Sequence, residues 1–283
     1  VSRRNNQDRV STPVPDASPP PPAVEQQDNT FSFVVPTEFV ELPSGGSFYP
    51  EDHPLHGKTS IEIKHMTAKE EDILTSESLL RKGIAIERLL QSLMVDKGIK
   101  LDDLLVGDKN ALIVGARITG YGADYRTSVS CPSCRAAQEA EFDLLELETS
   151  KCDPPEGVER SAEDTFFVAL PHSGATVELQ LLTGHEERQY LSNNTRKRKK
   201  KLRESSTTDL LKLLILSVDG YDDMESINNL LEVLPVRDSV HIRRVYEQIS
   251  PDVDLNQDFE CQSCGYEGSI GVPLNADFFW PGR

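Results

Sequence analysis

The sequence predicts an α+β protein: a zinc-ribbon-like β module with a mostly helical insertion between its two Cys-x-x-Cys knuckles, preceded by an α-rich segment and a disordered or extended N-terminal arm. Three observations predict it. The pairs Cys131/Cys134 and Cys261/Cys264 stand far apart, and each is followed by strand-like sequence, AQEAEFDL and YEGSIGVPL. The chain between them is far too long for a loop and carries apolar runs at helical spacing. Residues 1–30 are rich in Pro, Asn, Gln, Ser and Asp and bury too little apolar surface to offset the entropy of ordering. The expected organisation is an arm over 1–30, an extended and helical region over 31–130, the ribbon module from 131–150 plus 253–283, and the inserted domain over 151–252.

Taken in order, the arm contains the run Pro19–Pro22 and suits docking on a neighbour in extended form. Order is expected from Phe31. FSFVVPTEFVELPSGGSFYP alternates apolar and polar residues, then breaks at Pro43–Gly46 in a turn. Thr59–Met66 reads as a short strand with Ile61 and Ile63 on one face. TAKE is a capping box, Thr67 as N-cap and Glu70 three residues on, and Asp72 adds negative charge to the first turn. Ile73, Leu74, Leu79 and Leu80 supply that helix's apolar face, and Gly83 interrupts it. Ile86, Leu89, Leu90, Leu93 and Met94 form a second helix ending near Gly98. Ala111–Thr119 is a helix or a buried strand, which periodicity does not separate, and extended chain leads on to Cys131.

Beyond the first pair, EFDLLELE is strand-like, and FFVALP and ATVELQLLT read as strands joined by a turn at His172–Gly174. GHEERQYL starts a helix, and Thr195–Arg203 is a charged segment. TDLLKLLILSVDG reads as one strongly apolar helix, with Asp209 near its start and Gly220 past its end. SINNLLEVLP and VRDSVHIRRVYEQI are two more helices separated by Pro235. The tail returns to β structure and ends in the aromatic cluster Phe278, Phe279 and Trp280. So much apolar surface calls for burial, which favours Phe278 or Phe279 in the protein's own core and Trp280 nearer a partner.

The chain has 283 residues and a net charge of −17, which argues against a nucleic-acid coat and for protein partners. No stretch approaches the ~20 apolar residues of a membrane-spanning helix. The first residues lack the apolar core of a secretory signal, and Val1 is read as the residue left after initiator removal. Without export, the five cysteines point to a reducing compartment and metal-bound thiolates rather than disulfides.

Cys131, Cys134, Cys261 and Cys264 are therefore expected to hold one structural zinc. In such knuckles backbone amides donate to thiolate sulfur, and Gly265 permits the turn after the second pair. The rival reading, a redox dithiol, needs a pair that opens a helix, and neither pair precedes a helical pattern. Four thiolates leave no position for water, so the site is expected to clamp the ends of the insert and not to catalyse. Cys152 is read as a spare thiol. The basic residues Arg196–Arg203 have no aromatic neighbour to stack bases and read as a solvated helix face or a docking patch for an acidic partner. His53 and His56 resemble a ligand pair but lack matching third and fourth ligands. The sequence holds no nucleophile elbow, Walker loop or His-Glu-x-x-His motif, and no enzymatic activity is expected.

The order ELPSGGSFY, TAKEEDIL, ARITGYGADY before CPSC, a long insert containing SVDG, then DFECQSCG and FFWP resembles the T4-type phage baseplate protein family, over roughly residues 38 to 281. The family comprises hub-associated and hub-assembly proteins of contractile-tailed phages. The resemblance implies a non-catalytic virion component of the tail baseplate, made in the host cytoplasm and contacting hub, tube or wedge proteins. It equally implies a baseplate assembly chaperone absent from the mature virion. A zinc-ribbon nucleic-acid-binding protein is the reading from a different class, supported by the basic run.

Overall fold

The N-terminal part of the fold is assembled around two buried ionisable side chains. In the computed structural model, which describes residues 34–199, 206–274 and 276–279, β1 (Thr37–Glu41) pairs antiparallel with β2 (Ser60–Lys64). Ile61 and Ile63 are buried on one face of β2, as the alternation requires. α1 (Ala68–Thr75) opens at Thr67 with the expected capping box, the Glu70 carboxylate accepting from the Thr67 N–H at 3.1 Å. Glu70 is buried and also accepts from Lys64 Nζ at 2.7 Å and Ser92 Oγ at 2.8 Å, so one carboxylate joins the strand, the cap and the helix that carries Ser92, Ala85–Leu93.

The chain breaks at Ser76, earlier than the expected interruption at Gly83. Ser76 leaves the helical region to serve as N-cap of α2 (Glu77–Lys82), which Gly83 then closes in a left-handed turn. Leu80 is consequently exposed and contributes nothing to the apolar face read from the sequence. α3 (Ala85–Leu93) follows, with Leu89, Leu90 and Leu93 fully buried.

A 3-10 turn at Leu101–Asp103 leads to α4 (Val106–Tyr121), which settles the alternative left open for Ala111–Thr119 in favour of helix. Asp108, in the first turn of α4, is fully buried. It accepts from the Ser44 N–H at 3.0 Å, the Ser44 hydroxyl at 2.6 Å and the Tyr49 hydroxyl at 2.6 Å. Those bonds pin the loop between β1 and β2 onto the helix. Burial raises the Asp108 carboxyl above its ordinary range, and the three donors oppose that. At the other end of α4, buried Arg117 donates to the carbonyls of Gly122, Asp124 and Phe278.

From α4 the chain enters β3 (Asp124–Ser130) and β4 (Ala137–Asp143), an antiparallel hairpin around the first cysteine pair. The short strand β5 (Thr149–Ser150) starts the excursion. β6 (Val158–Arg160), β7 (Phe166–Ala169) and β8 (Thr176–Leu179) lead to α5 (Gly184–Lys199), α6 (Ser206–Leu214) and β9 (Ile215–Val218). α7 (Met224–Val233) and α8 (Val236–Ile249) complete it on either side of Pro235. β10 (Asp252–Val253) returns beside β5, and β11 (Asn256–Glu260) with β12 (Glu267–Gly271) form the second hairpin. A final 3-10 turn covers Ala276–Phe279.

The excursion carries the expected helices, α5 to α8, and more strand than the two segments expected. It contains a four-stranded antiparallel sheet in the order β6-β7-β8-β9. The run TDLLKLLILSVDG is not one helix: it leaves the helix at Leu214, and Ile215–Val218 pairs with β8 across a bulge at Glu178/Leu179. Pairing with the sheet satisfies these backbone groups and buries Ile215 and Val218, a tertiary gain that local helix preference does not match. The turn at His172–Gly174 is where the sequence places it, held by buried Asp238 of α8, which accepts from the His172 N–H at 3.0 Å and the Ser173 N–H at 2.8 Å. Residues from Val35 onward form one compact unit.

Phe278 and Phe279 are buried, as the need to hide aromatic surface requires. Phe278 sits edge-on to Tyr125, with centroids 5.0 Å apart, and to Phe279 at 5.4 Å. Trp280, the N-terminal arm and Lys200–Arg203 lie outside the described residues.

Candidate metal centre

Each cysteine pair occupies the tip of a hairpin. In the first, the Cys131 N–H donates to the Ala136 carbonyl at 3.0 Å and the Arg135 N–H to the Cys131 carbonyl at 2.9 Å. The second repeats this bond for bond: Cys261 N–H to Tyr266 O at 2.8 Å, and Gly265 N–H to Cys261 O at 2.9 Å. The residue after the second cysteine is left-handed in both, Gly265 at φ 67° and Arg135 at φ 61°. Glycine was recognisable at that position. Arg135 was not, because a side chain there bears a steric penalty that only the aligned pattern CPSCR/CQSCG reveals.

The two tips face each other. Cys131 Sγ lies 3.8 Å from Cys264 Sγ, Cys134 Sγ lies 3.7 Å from Cys261 Sγ, and all four sulfurs fall within 4.8 Å of one another. A tetrahedron with Zn–S bonds of ~2.3 Å has edges of about 3.8 Å, so these two separations match a shared ion. They are far longer than a disulfide's ~2.05 Å. Cys131 and Cys261 are buried, while Cys134 and Cys264 are exposed at the rim.

The electrostatics fit a cation. At Cys131 burial opposes ionisation, yet the Cys134 and Ser133 amides and the neighbouring thiols outweigh it and pull the group down to about 7. At Cys134 the Ala136 amide favours the thiolate, but Cys264, then desolvation, then Cys131 and Cys261 push it up to about 11. Four thiols this close cannot all ionise unless a positive ion sits among them, and the inward-pointing amides are the donors that thiolate ligands take. Among the described residues, this is the one group of His, Cys, Asp or Glu side chains disposed to share an ion.

Gln138 stitches the hairpins together, its Nε2 donating to Glu260 O at 2.9 Å and its Oε1 accepting from the Gln262 N–H at 3.0 Å. Nothing in its sequence context marks it. Gln257 makes a second stitch, to the Asp143 carbonyl at 2.5 Å.

The remaining candidates do not join this site. His53 stacks on Tyr49 at 4.6 Å and its Nδ1 accepts from the Leu55 N–H, while His56 Nδ1 lies 2.6 Å from the Tyr49 carbonyl. Both serve the loop pinned by Asp108. Cys152 is half-buried, and burial pushes its thiol up. Within the basic run, Arg196 is exposed at the end of α5, and Lys197 pairs with Asp209 of α6 at 2.5 Å.

The chain is thus a mixed α+β protein in which two facing hairpins bring four cysteines together. Residues 35–280 match the family model described as T4 bacteriophage base plate protein, and the chain belongs to that family. No curated protein and no solved structure matches it.

Proposed function

We propose that the protein is a structural, non-catalytic component of a contractile-tail baseplate, a hub-proximal adaptor that contacts hub, tube or wedge proteins. The carrying observation is the family match across residues 35–280. In this reading Cys131, Cys134, Cys261 and Cys264 hold one zinc, which joins the two hairpins and fixes both ends of the excursion between them. Four sulfurs close the coordination shell, so the zinc supplies folding energy and no activated water. Mass spectrometry of purified virions tests the role: the chain should be present in mature particles. Its presence in assembling tails but absence from virions would replace this reading with that of an assembly chaperone.

A further inference from the structure

Among the described residues, nothing pairs with the outer edge of β1. The Leu42 N–H donates to Thr59 O at 2.8 Å and the His65 N–H to Pro36 O at 2.9 Å, which sets the phase of the β1–β2 ladder. In an antiparallel pair such bonds fall on alternate residues, so Glu38 and Val40 bond β2, and the N–H and C=O groups of Thr37, Phe39 and Glu41 point away from it. Those outward groups have no partner among the described residues. The far edge of β2 is already taken, since Val95 N–H donates to Glu62 O at 3.1 Å and Met94 bridges Ile63. Among the described residues, β1 therefore presents the free side of this sheet.

Beside that edge runs an apolar groove of about 200 Å³. Its floor is α4, where the absence of a side chain at Gly115 lets Val40 approach closely, and its far wall is the extended segment from Leu144 to Thr149. Two large apolar side chains on its rim are left in water, Phe39 at 66% exposure and Leu145 at 70%. Along the far wall, Leu145 and Leu147 face the groove, while Glu146 and Glu148 face a neighbouring acidic cleft.

We propose that the free edge of β1 is a strand-addition site for an extended segment of another protein, alternately apolar and flanked by basic residues. Added on this edge, the segment satisfies the outward groups of Thr37, Phe39 and Glu41; every second side chain enters the groove and covers Leu145, and the alternate ones lie beside Phe39 on the opposite face of the sheet. The charges select the guest. Glu38 and Glu41 on the strand, with Glu146 and Glu148 behind the far wall, favour Lys or Arg at its ends. They also disfavour a second copy of this chain: two β1 edges paired about Phe39 would bring four glutamates into one short ladder, between chains of net charge −17 each. The inference depends on neither the metal nor the baseplate assignment.

The probe is a synthetic peptide of alternating Val and Thr with two Lys at each end, added to the full-length protein. Hydrogen exchange should slow at least tenfold at the Phe39 and Glu41 amides. A peptide with Glu in place of Lys should bind at least tenfold more weakly by fluorescence anisotropy. Phe39→Pro deletes an outward N–H but no bond to β2, so it should weaken binding tenfold or more. If that variant does not fold, Leu145→Lys, an exposed change that repels the basic guest, should weaken binding in the same direction. No slowing at about 1 mM peptide overturns the proposal, as does undiminished binding to the folded variants. Slowing in the protein alone that grows with its concentration assigns the edge to a second copy. Tenfold tighter peptide binding after removal of residues 1–33 assigns it to the chain's own arm. Either result overturns the proposal.

Discussion

Replacing Arg117 with Met tests how the C-terminal aromatic turn is held. The guanidinium is buried and donates through Nε to Phe278 O at 2.8 Å, through Nη1 to Gly122 O at 2.5 Å and through Nη2 to Asp124 O at 3.0 Å. Its carbon also lies 5.5 Å from the Tyr121 ring centroid and 5.8 Å from that of Tyr125. Hydrogen bonds from a charged donor are worth about 1.5–3 kcal/mol each, so three bonds set a gross scale of about 5–9 kcal/mol. Removing the cation also relieves its own desolvation, while Met fills most of the space and leaves three carbonyls short of a donor. The net loss should be about 4 kcal/mol. Equilibrium urea unfolding measures it, and hydrogen exchange at Phe278 and Phe279 reports whether the turn is released first. Arg117→Lys should recover less than half, because one ammonium cannot span three carbonyls on separate segments. A loss below about 1 kcal/mol for Arg117→Met, with exchange at Phe278 unchanged, would refute the reasoning.

Three further predictions concern other parts of the molecule. Reduced, freshly purified protein should contain about one zinc per chain by elemental analysis; Cys264→Ser should abolish that content and lower stability by at least about 3 kcal/mol, with Cys152→Ser nearly silent. Phe279→Ala should destabilise the isolated chain by about 3–5 kcal/mol in urea titrations, since Phe279 is fully buried, and a change under 1 kcal/mol would mean the turn detaches readily. At Glu70 burial opposes ionisation, but Lys64, Thr67 and Ser92 outweigh it and hold the carboxyl at about 2, against an ordinary 4.5. Its folded value is depressed, so its stabilisation of about 3 kcal/mol is present above pH 4.5 and lost as pH falls from 4.5 towards 2. Glu70→Gln should flatten that part of the stability–pH curve, and an unchanged slope would count against it.

The elements legible in the sequence are those whose cause is local. The Thr67–Glu70 box, the alternation at Ile61 and Ile63 and the pause at Pro235 each act within a few residues, and each element stands where they put it. Ile215–Val218 was not legible, because an unbroken apolar run is compatible with a buried helix or a strand until β8 is present to pair with it. Asp108, Arg117 and Asp238 were invisible for a related reason. A buried charge is defined by its partners, and Asp108 meets Ser44 across 64 residues while Arg117 meets Phe278 across 161. The cysteine cluster was legible because two pairs with no other close pair leave one grouping. Arg135 and Gln138 completed it without a mark of their own.

The excursion leaves and re-enters the fold at one point. β5 and β10 pair Ser150 with Asp252 and Thr149 with Val253, and the Asp254 N–H donates to the Glu148 carbonyl at 2.7 Å. Once these two roots are tied, the entropy of closing the loop between them grows only with the logarithm of its length, about 0.6 kcal/mol for each doubling. Chain added at an exposed turn such as that between Pro155 and Val158 would therefore leave both cysteine hairpins in register. Exposed turns of the excursion are therefore places where evolution can add chain at small thermodynamic expense.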